Sequence, residues 1–307
     1  MNLTTKILTI TLLLALAAGC GATRLSGYLA VGPGHPPPPA TQPAGSQPAS
    51  QQASPADVLF QQAEDKWAKR DDGGALKDAL VLYEKVIKAD PSRRQALSRL
   101  ARGYYLYAYG HAKTDEEILG SHDAGARWGE RIMGLRPEFR AKMAAGEKDY
   151  ENLNLAQKED VPGIYWSYGN LGKWSVKKGF TTVLKNKSKL KAFISRVAEL
   201  DPGYYHGAGD RGLAAFYAKA PSFAGGDLNK AKEHFEKSLK VAPNYFGTKV
   251  LMARYYATKK QDKALFKRLL EEVIAGDANA LPDVIPMQKI EQRKAKELLG
   301  QIEDKFE

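Results

Sequence analysis

From Ala56 onward, apolar positions recur at three- and four-residue steps. Leu76, Ala79, Leu80, Tyr83, Val86 and Ile87 fall on one side, with Lys77, Asp78, Glu84 and Lys85 opposite. That spacing predicts a half-buried helix. The stretch stops at Asp90-Pro91, because proline lacks the N–H and crowds the preceding turn. A second stretch repeats the design. Leu228, Ala231, Phe235 and Leu239 form the apolar stripe, Lys230, Lys232, Glu233, Glu236 and Lys237 the polar side, and Ala242-Pro243 ends it. No segment alternates apolar and polar residues between turns, so no sheet is expected and the chain reads as all-α.

The two stretches share more than a period. Ala79-x3-Tyr83 stands eight residues before Pro91, and Ala231-x3-Phe235 eight before Pro243. This resembles the second helix of a tetratricopeptide repeat, where a small residue lets helices approach and an aromatic fills the groove. Leu100 and Tyr104 follow Pro91 at the offsets at which Met252 and Tyr256 follow Pro243. Arg136-Pro137 and Asp201-Pro202 mark further repeat ends, with Gly125 and Gly129 in the Ala and aromatic slots before Pro137. The prolines are 46, 65 and 41 residues apart, not about 34, so insertions are expected. The predicted architecture is an irregular tetratricopeptide-like helical repeat array, an α-solenoid, over residues 56–307. Its helix pairs stack into a concave surface, and Met287 to Phe306 forms the cap.

The first 19 residues read as a leader. Lys6 supplies a positive start, and Ile7 to Leu16 is apolar except for Thr9 and Thr11, too short for the roughly 20 residues of a membrane span. Leu16-Ala17-Ala18-Gly19-Cys20 resembles a bacterial lipobox, which implies lipidation of Cys20 and a membrane anchor through the N-terminal lipid. Ala17 stands where Leu is usual, so an ordinary secretory cleavage site is the alternative. Residues 20–55 carry Pro33, Pro36 to Pro39, Pro43, Pro48 and Pro55 among Ala, Gly, Ser and Gln. Such a stretch buries too little apolar surface to order itself, and reads as a disordered, semi-rigid tether.

Charge and chemistry narrow the function classes. There are 46 Lys+Arg against 35 Asp+Glu, one Cys and five His. One cysteine excludes a disulfide and a Cys-cluster zinc site; no HExxH occurs, so no metal and no cofactor are expected. Gly207-Ala208-Gly209-Asp210-Arg211-Gly212 matches GxGxxG but follows a helical pattern, not a strand, and small residues for helix packing explain it. His206, Asp210 and Ser222 lack any spacing that enforces a triad. No catalytic residue is assigned, and the chain is not expected to be an enzyme. Export removes nucleic acid as a partner. Lys173, Lys177, Lys178, Lys185, Lys187, Lys189 and Lys191 form the densest basic stretch, a solvated surface or a face for anionic headgroups or an acidic partner.

Trp166, Asn170 and Trp174 are four residues apart and share one helical face. They form either the wall of an apolar pocket with one orienting amide, or core with Asn170 bonded to a neighbouring helix. First helices of stacked repeats line the concave side, which adds Arg102, Tyr105, Arg211, Phe216 and Arg254. These arginines either orient a carboxylate beside aromatic rings or pair with acids on adjacent helices.

Ile164 to Trp174, Asp201-Pro202-Gly203-Tyr204-Tyr205, and above all Ala218-Lys219-Ala220-Pro221-Ser222-Phe223-Ala224-Gly225-Gly226-Asp227 resemble the T component of tetratricopeptide-containing TRAP transporters. The resemblance runs from about Ala56 to Phe306. It implies a periplasm-facing lipoprotein that forms a homotrimer, works beside the TRAP solute-binding subunit and holds a small hydrophobic or carboxylate ligand. The alternative function is a general envelope scaffold that assembles proteins without a ligand.

Overall fold

The computed structural model describes residues 25–29 and 53–306, and every regular element within them is helical. In chain order these are α1 (Leu25–Leu29), α2 (Pro55–Ala68), α3 (Gly73–Ala89), α4 (Arg94–Gly110), α5 (Asp115–Met133), α6 (Pro137–Ala144), α7 (Val161–Lys178) and α8 (Phe180–Leu200). They continue as α9 (Tyr204–Lys219), α10 (Leu228–Val241), α11 (Phe246–Leu251), α12 (Thr258–Lys260), α13 (Lys263–Ala275) and α14 (Ile285–Leu299). A π-helical turn, Met252–Ala257, joins α11 to α12.

Local chemistry sets the starts. Ser54 accepts from the Asp57 amide and Asp57 returns the bond, a reciprocal cap on α2. Thr114 and Glu117 do the same for α5. Asp227 caps α10 through the Asn229 and Lys230 amides. Pro137 opens α6 in the first turn, where its missing N–H costs nothing.

The helices pair as repeats: α2 with α3, α4 with α5, α7 with α8, α9 with α10, and the α11–α12 segment with α13. Ala79, Tyr83, Ala231 and Phe235 are fully buried, as the repeat pattern predicts. The long proline interval comes from an insertion, α6 and the 3-10 turns that follow it. Where the pattern degenerates, α5 and α7 come into backbone contact. A Cβ on Gly129 would lie 2.7 Å from the Gly163 carbonyl and 2.5 Å from Ser167 Oγ. Glycine in the aromatic slot therefore lets two helices approach more closely than any side chain would.

Two expectations change. The C-terminal helix is not a cap at the far end. Met287 and Ile290 of α14 pack with Trp67, Leu76 and Tyr107 of the first repeats, while Ala295 and Leu298 pack with the last. Lys289 pairs with Asp71 and Tyr109 bonds Glu291. The array curls until α14 bridges its two ends, because α14 carries apolar residues on more than one side. Second, the stretch read as tether contains α1, whose Tyr28 is 2% exposed. Its ring meets Phe139 at 5.5 Å and its hydroxyl donates to Asp149. The aromatic ring gives this short helix a buried contact that the surrounding Pro-rich composition does not suggest. The leader and Cys20 lie outside the described residues.

Candidate functional site

The first helices of the repeats face one another across the inside of the array, and their aromatic residues meet there. Trp166 is 5.4 Å from Tyr105, 4.8 Å from Tyr165 and 5.0 Å from Tyr205, centroid to centroid. Tyr205 continues to Tyr245 at 5.9 Å, and His206 stacks on Tyr245 at 5.2 Å. The wall thus draws on α4, α7, the start of α9 and the α10–α11 loop. Tyr105, Tyr109, Tyr165 and Tyr205 are half-buried. Burial pushes the Tyr105, Tyr109 and Tyr245 hydroxyls well above their ordinary range; they are hydrogen-bonding neutral groups.

The start of α9 is unusual. Tyr205, His206 and Gly207 all adopt left-handed backbone, with φ of 42°, 59° and 71°. Arg211, one turn further, is buried. It donates to the His206 carbonyl at 2.7 Å, the Tyr205 carbonyl at 3.1 Å and the Tyr165 hydroxyl at 3.2 Å. Its guanidinium also lies 4.3 Å from the Tyr245 ring. These partners are neutral acceptors and ring faces, and no carboxylate among the described residues pairs with it. Arg102 behaves similarly, donating to the Asp283 carbonyl at 2.6 Å and covering Tyr205 at 5.0 Å.

Beyond the aromatic wall lies a group of further cations. The ammonium groups of Lys173 (α7) and Lys294 (α14) both rest on Tyr109, at 4.2 and 2.8 Å from its centroid. Lys219 and Arg254 approach Tyr255 at 4.7 and 5.4 Å. None of the four forms an ion pair among the described residues. Burial, then the positive charge of Lys294, Lys219 and Arg254, pushes the Lys173 amine well below its usual range. Burial pushes Lys294 down to about 8. The acid Glu291 is set among them and is buried. Its Oε1 accepts from the Tyr109 hydroxyl at 3.0 Å, and Oε2 is buried without a hydrogen-bond partner. Arg254 stands on the π turn, a distortion frequent at functional sites.

The family model described as "TRAP transporter T-component" matches residues 134–306, more than half of the chain. The chain belongs to the T-component family of TRAP transporters. An uncharacterized protein of Treponema pallidum (strain Nichols) is 22% identical over 251 residues, covering 74% of this chain and 77% of the relative. The family places the T component in the cell envelope as an accessory part of a transporter. Among its described residues, no helix is long and apolar enough to cross a membrane.

The T component brings together Arg102, Tyr105, Trp166 and Arg211 on one wall, with Arg254 among the further cations. It separates the other three. Asn170 is fully buried; its amide donates to the Ala101 and Trp166 carbonyls at 3.0 and 2.9 Å, and its oxygen faces His122 Nδ1 at 2.9 Å. That bonding ties α4, α5 and α7 together, the core reading of this residue. Trp174 lies beside His122, Arg127 and Glu130, and Phe216 packs on Tyr217 under Lys191. Tyr109, Tyr165, Tyr205, Tyr245, Lys173, Glu291 and Lys294 complete the wall and were not singled out from sequence as its members. The Tyr-Tyr-His run before GxGxxG was their strongest signal, but the left-handed turn and the return of α14 leave no periodic trace.

Other candidates disperse. In the T component, His206 Nε2 is 3.1 Å from Asp283, while Asp210 takes His234 at 2.7 Å. Ser222 lies beyond the opposite end of α9, so no triad assembles. The glycines of GxGxxG pack on helices, Gly209 against Ala198 and Gly212 against Ile194. A separate cleft of about 460 Å³ lies between Arg136, Glu138, residues 154–158, Arg196 and Leu200. Its arginines are already engaged, Arg136 with Glu159 and Asp160 and Arg196 with Glu199.

Proposed function

We propose that this T component is a lipid-anchored, periplasm-facing accessory protein that docks the solute-binding subunit, assembles as a homotrimer and holds an amphipathic organic anion on its inner wall. The observation that carries the ligand reading is uncompensated positive charge beside aromatic rings. Arg211, buried, and Lys173 and Lys294, half-buried, form no ion pair among the described residues, nor do Lys219 and Arg254 at the exposed edge, and the buried acid nearest Lys173 and Lys294 is Glu291. Positive charge clustered at a partly desolvated aromatic wall favours an anion, so a ligand carboxylate pairs with it while Trp166, Tyr105 and Tyr205 cover an apolar body.

The docking reading draws on Phe223, which is 80% exposed. Its loop is held rigidly: the Gly226 amide bonds the Pro221 carbonyl at 2.9 Å and the Asp227 amide bonds the Tyr217 carbonyl at 3.1 Å. A large aromatic held out on a fixed loop suits a protein contact.

Titration with a dansyl-labelled undecanoate tests the ligand. The wild type is expected to bind it saturably, and a Lys173→Glu/Lys294→Glu double variant with unchanged circular dichroism is expected to lose it. A pull-down of the solute-binding subunit with Phe223→Ser tests the docking. A wild type that captures the subunit yet binds no acid supports the scaffold reading instead.

A further inference from the structure

Among the described residues few large apolar side chains face solvent, and three of them lie at one place. Val176, Phe180 and Leu184 are 53%, 58% and 38% exposed. They are four residues apart across the turn between α7 and α8, where Gly179 takes φ 110° and the chain reverses direction. Phe180 and Leu184, at i and i+4, share one face of α8.

Basic residues surround this apolar tip. Between Asp160 and Glu199 the chain contains no Asp or Glu. Lys177 is held by Asp115 at 2.6 Å, whereas Lys178, Lys185 and Lys187 form no ion pair among the described residues. Apolar side chains among unpaired lysines match the boundary between anionic headgroups and acyl chains.

The docked helix α1 reaches α8 further along from this turn. Asp149, which accepts from Tyr28, also pairs with Lys189, and the Lys189 ammonium is 6.0 Å from the Tyr28 ring. Lys189 follows Gly179 by ten residues, about 15 Å of axial rise along α8. Cys20 precedes α1 by five residues, a reach of at most about 18 Å. The Tyr28 contact therefore links Cys20 to the body through five residues rather than through the whole stretch to Pro55.

We propose that the α7–α8 turn is a membrane-contact surface. Val176, Phe180 and Leu184 enter the headgroup boundary of an anionic bilayer, and Lys178, Lys185 and Lys187 lie on its headgroups. The surface acts together with a lipid on Cys20, and in that respect the inference rests on the lipoprotein reading. The two acyl chains that the lipobox resemblance implies already anchor the chain stably, and the basic, apolar turn sets which face of the body lies on the bilayer.

The test uses the mature-length chain with Cys20→Ser, which cannot be acylated, so the patch is read by itself. In vesicle flotation the protein is expected to bind phosphatidylglycerol-containing vesicles, to ignore pure phosphatidylcholine and to release in high salt. Phe180→Ser/Leu184→Ser and Lys185→Glu/Lys187→Glu, each with unchanged circular dichroism, are expected to reduce the bound fraction to background. Absence of binding by the folded Cys20→Ser protein overturns the proposal. So does sedimentation showing that Phe180→Ser/Leu184→Ser dissociates an oligomer, because the occupant is then a second copy of the chain. Mass spectrometry of the envelope-purified wild type reads acylation separately: an unmodified Cys20 refutes the lipoprotein reading and leaves the vesicle result to decide the patch.

Discussion

Arg211 clamps His206: its Nη1 donates to the His206 carbonyl at 2.7 Å across the turn that begins α9. The backbone there is left-handed over Tyr205, His206 and Gly207, a conformation that costs about 1–2 kcal/mol for each residue with a Cβ. The turn directs Tyr205 at Trp166 and His206 at Tyr245. The same guanidinium thus holds the strained backbone and presents its charge to the aromatic wall.

Removing that clamp exposes both roles. Arg211→Ala is expected to destabilise the protein by roughly 2–4 kcal/mol, since it strips buried carbonyls of a charged donor. Thermal unfolding checks this; a melting temperature within a degree of wild type refutes the clamp. Trp174→Ala, away from the wall, is expected to leave acid binding unchanged in the same titration.

Two glycines of α5 predict opposite outcomes. Gly129→Ala drives a methyl into the Gly163 carbonyl and is expected to cost several kcal/mol, on the order of other overpacked sites. Gly120 has open space around its Cβ position, so Gly120→Ala is expected to stabilise by up to about 1 kcal/mol through helix propensity. Denaturant titration of the pair checks it, and equal midpoints would contradict the close approach of α5 and α7.

Much of the fold was legible because its causes are local. The proline stops, the Asp227 cap and the Ala79–Tyr83 and Ala231–Phe235 packing follow from neighbours in sequence. The site was legible only by halves. Arg102, Tyr105 and Arg211 follow from first helices lining the inner side, and Trp166 from its place in the aromatic run. Asn170 shares a face with Trp166 by period, yet the glycine-mediated approach of α5 buries it against His122. Glu291 and Lys294 reach the wall because α14 folds back across the array, a long-range event without a periodic signature. Tyr28 lies in Pro-rich surroundings, and one buried ring suffices to dock it.

His122 makes stability depend on pH. The Asn170 amide is committed to two carbonyls, so its oxygen faces His122, which then donates from Nδ1 as a neutral ring. Burial lowers its pKa to about 4, below the ordinary value near 6.5. The unfolded chain therefore binds a proton first as pH falls. The contribution is fully present above about pH 6.5 and is lost progressively down to about pH 4, amounting to about 3 kcal/mol. The melting temperature of the wild type is expected to fall across that window, and His122→Gln to flatten the fall. Identical profiles would show that other groups govern it.

Anion binding carries the opposite pH trend. Lys294, with its pKa lowered to about 8, loses its charge at mildly alkaline pH. Dansyl-undecanoate affinity is expected to fall as pH rises through that value, and Lys294→Arg to lessen the fall by keeping its own charge, the lowered Lys173 amine accounting for the remainder. Affinity that stays constant to pH 9, roughly one unit beyond that midpoint, would mean the ligand does not sense this group.

Native mass spectrometry of the mature protein released from envelopes tests the central claim most directly. The wild type is expected to carry a small organic acid, visible as a discrete mass increment and recovered by extraction. Lys173→Glu/Lys294→Glu is expected to be folded and empty. A wild type that carries no acid and also fails to bind dansyl-undecanoate, while still capturing the solute-binding subunit, would contradict the claim.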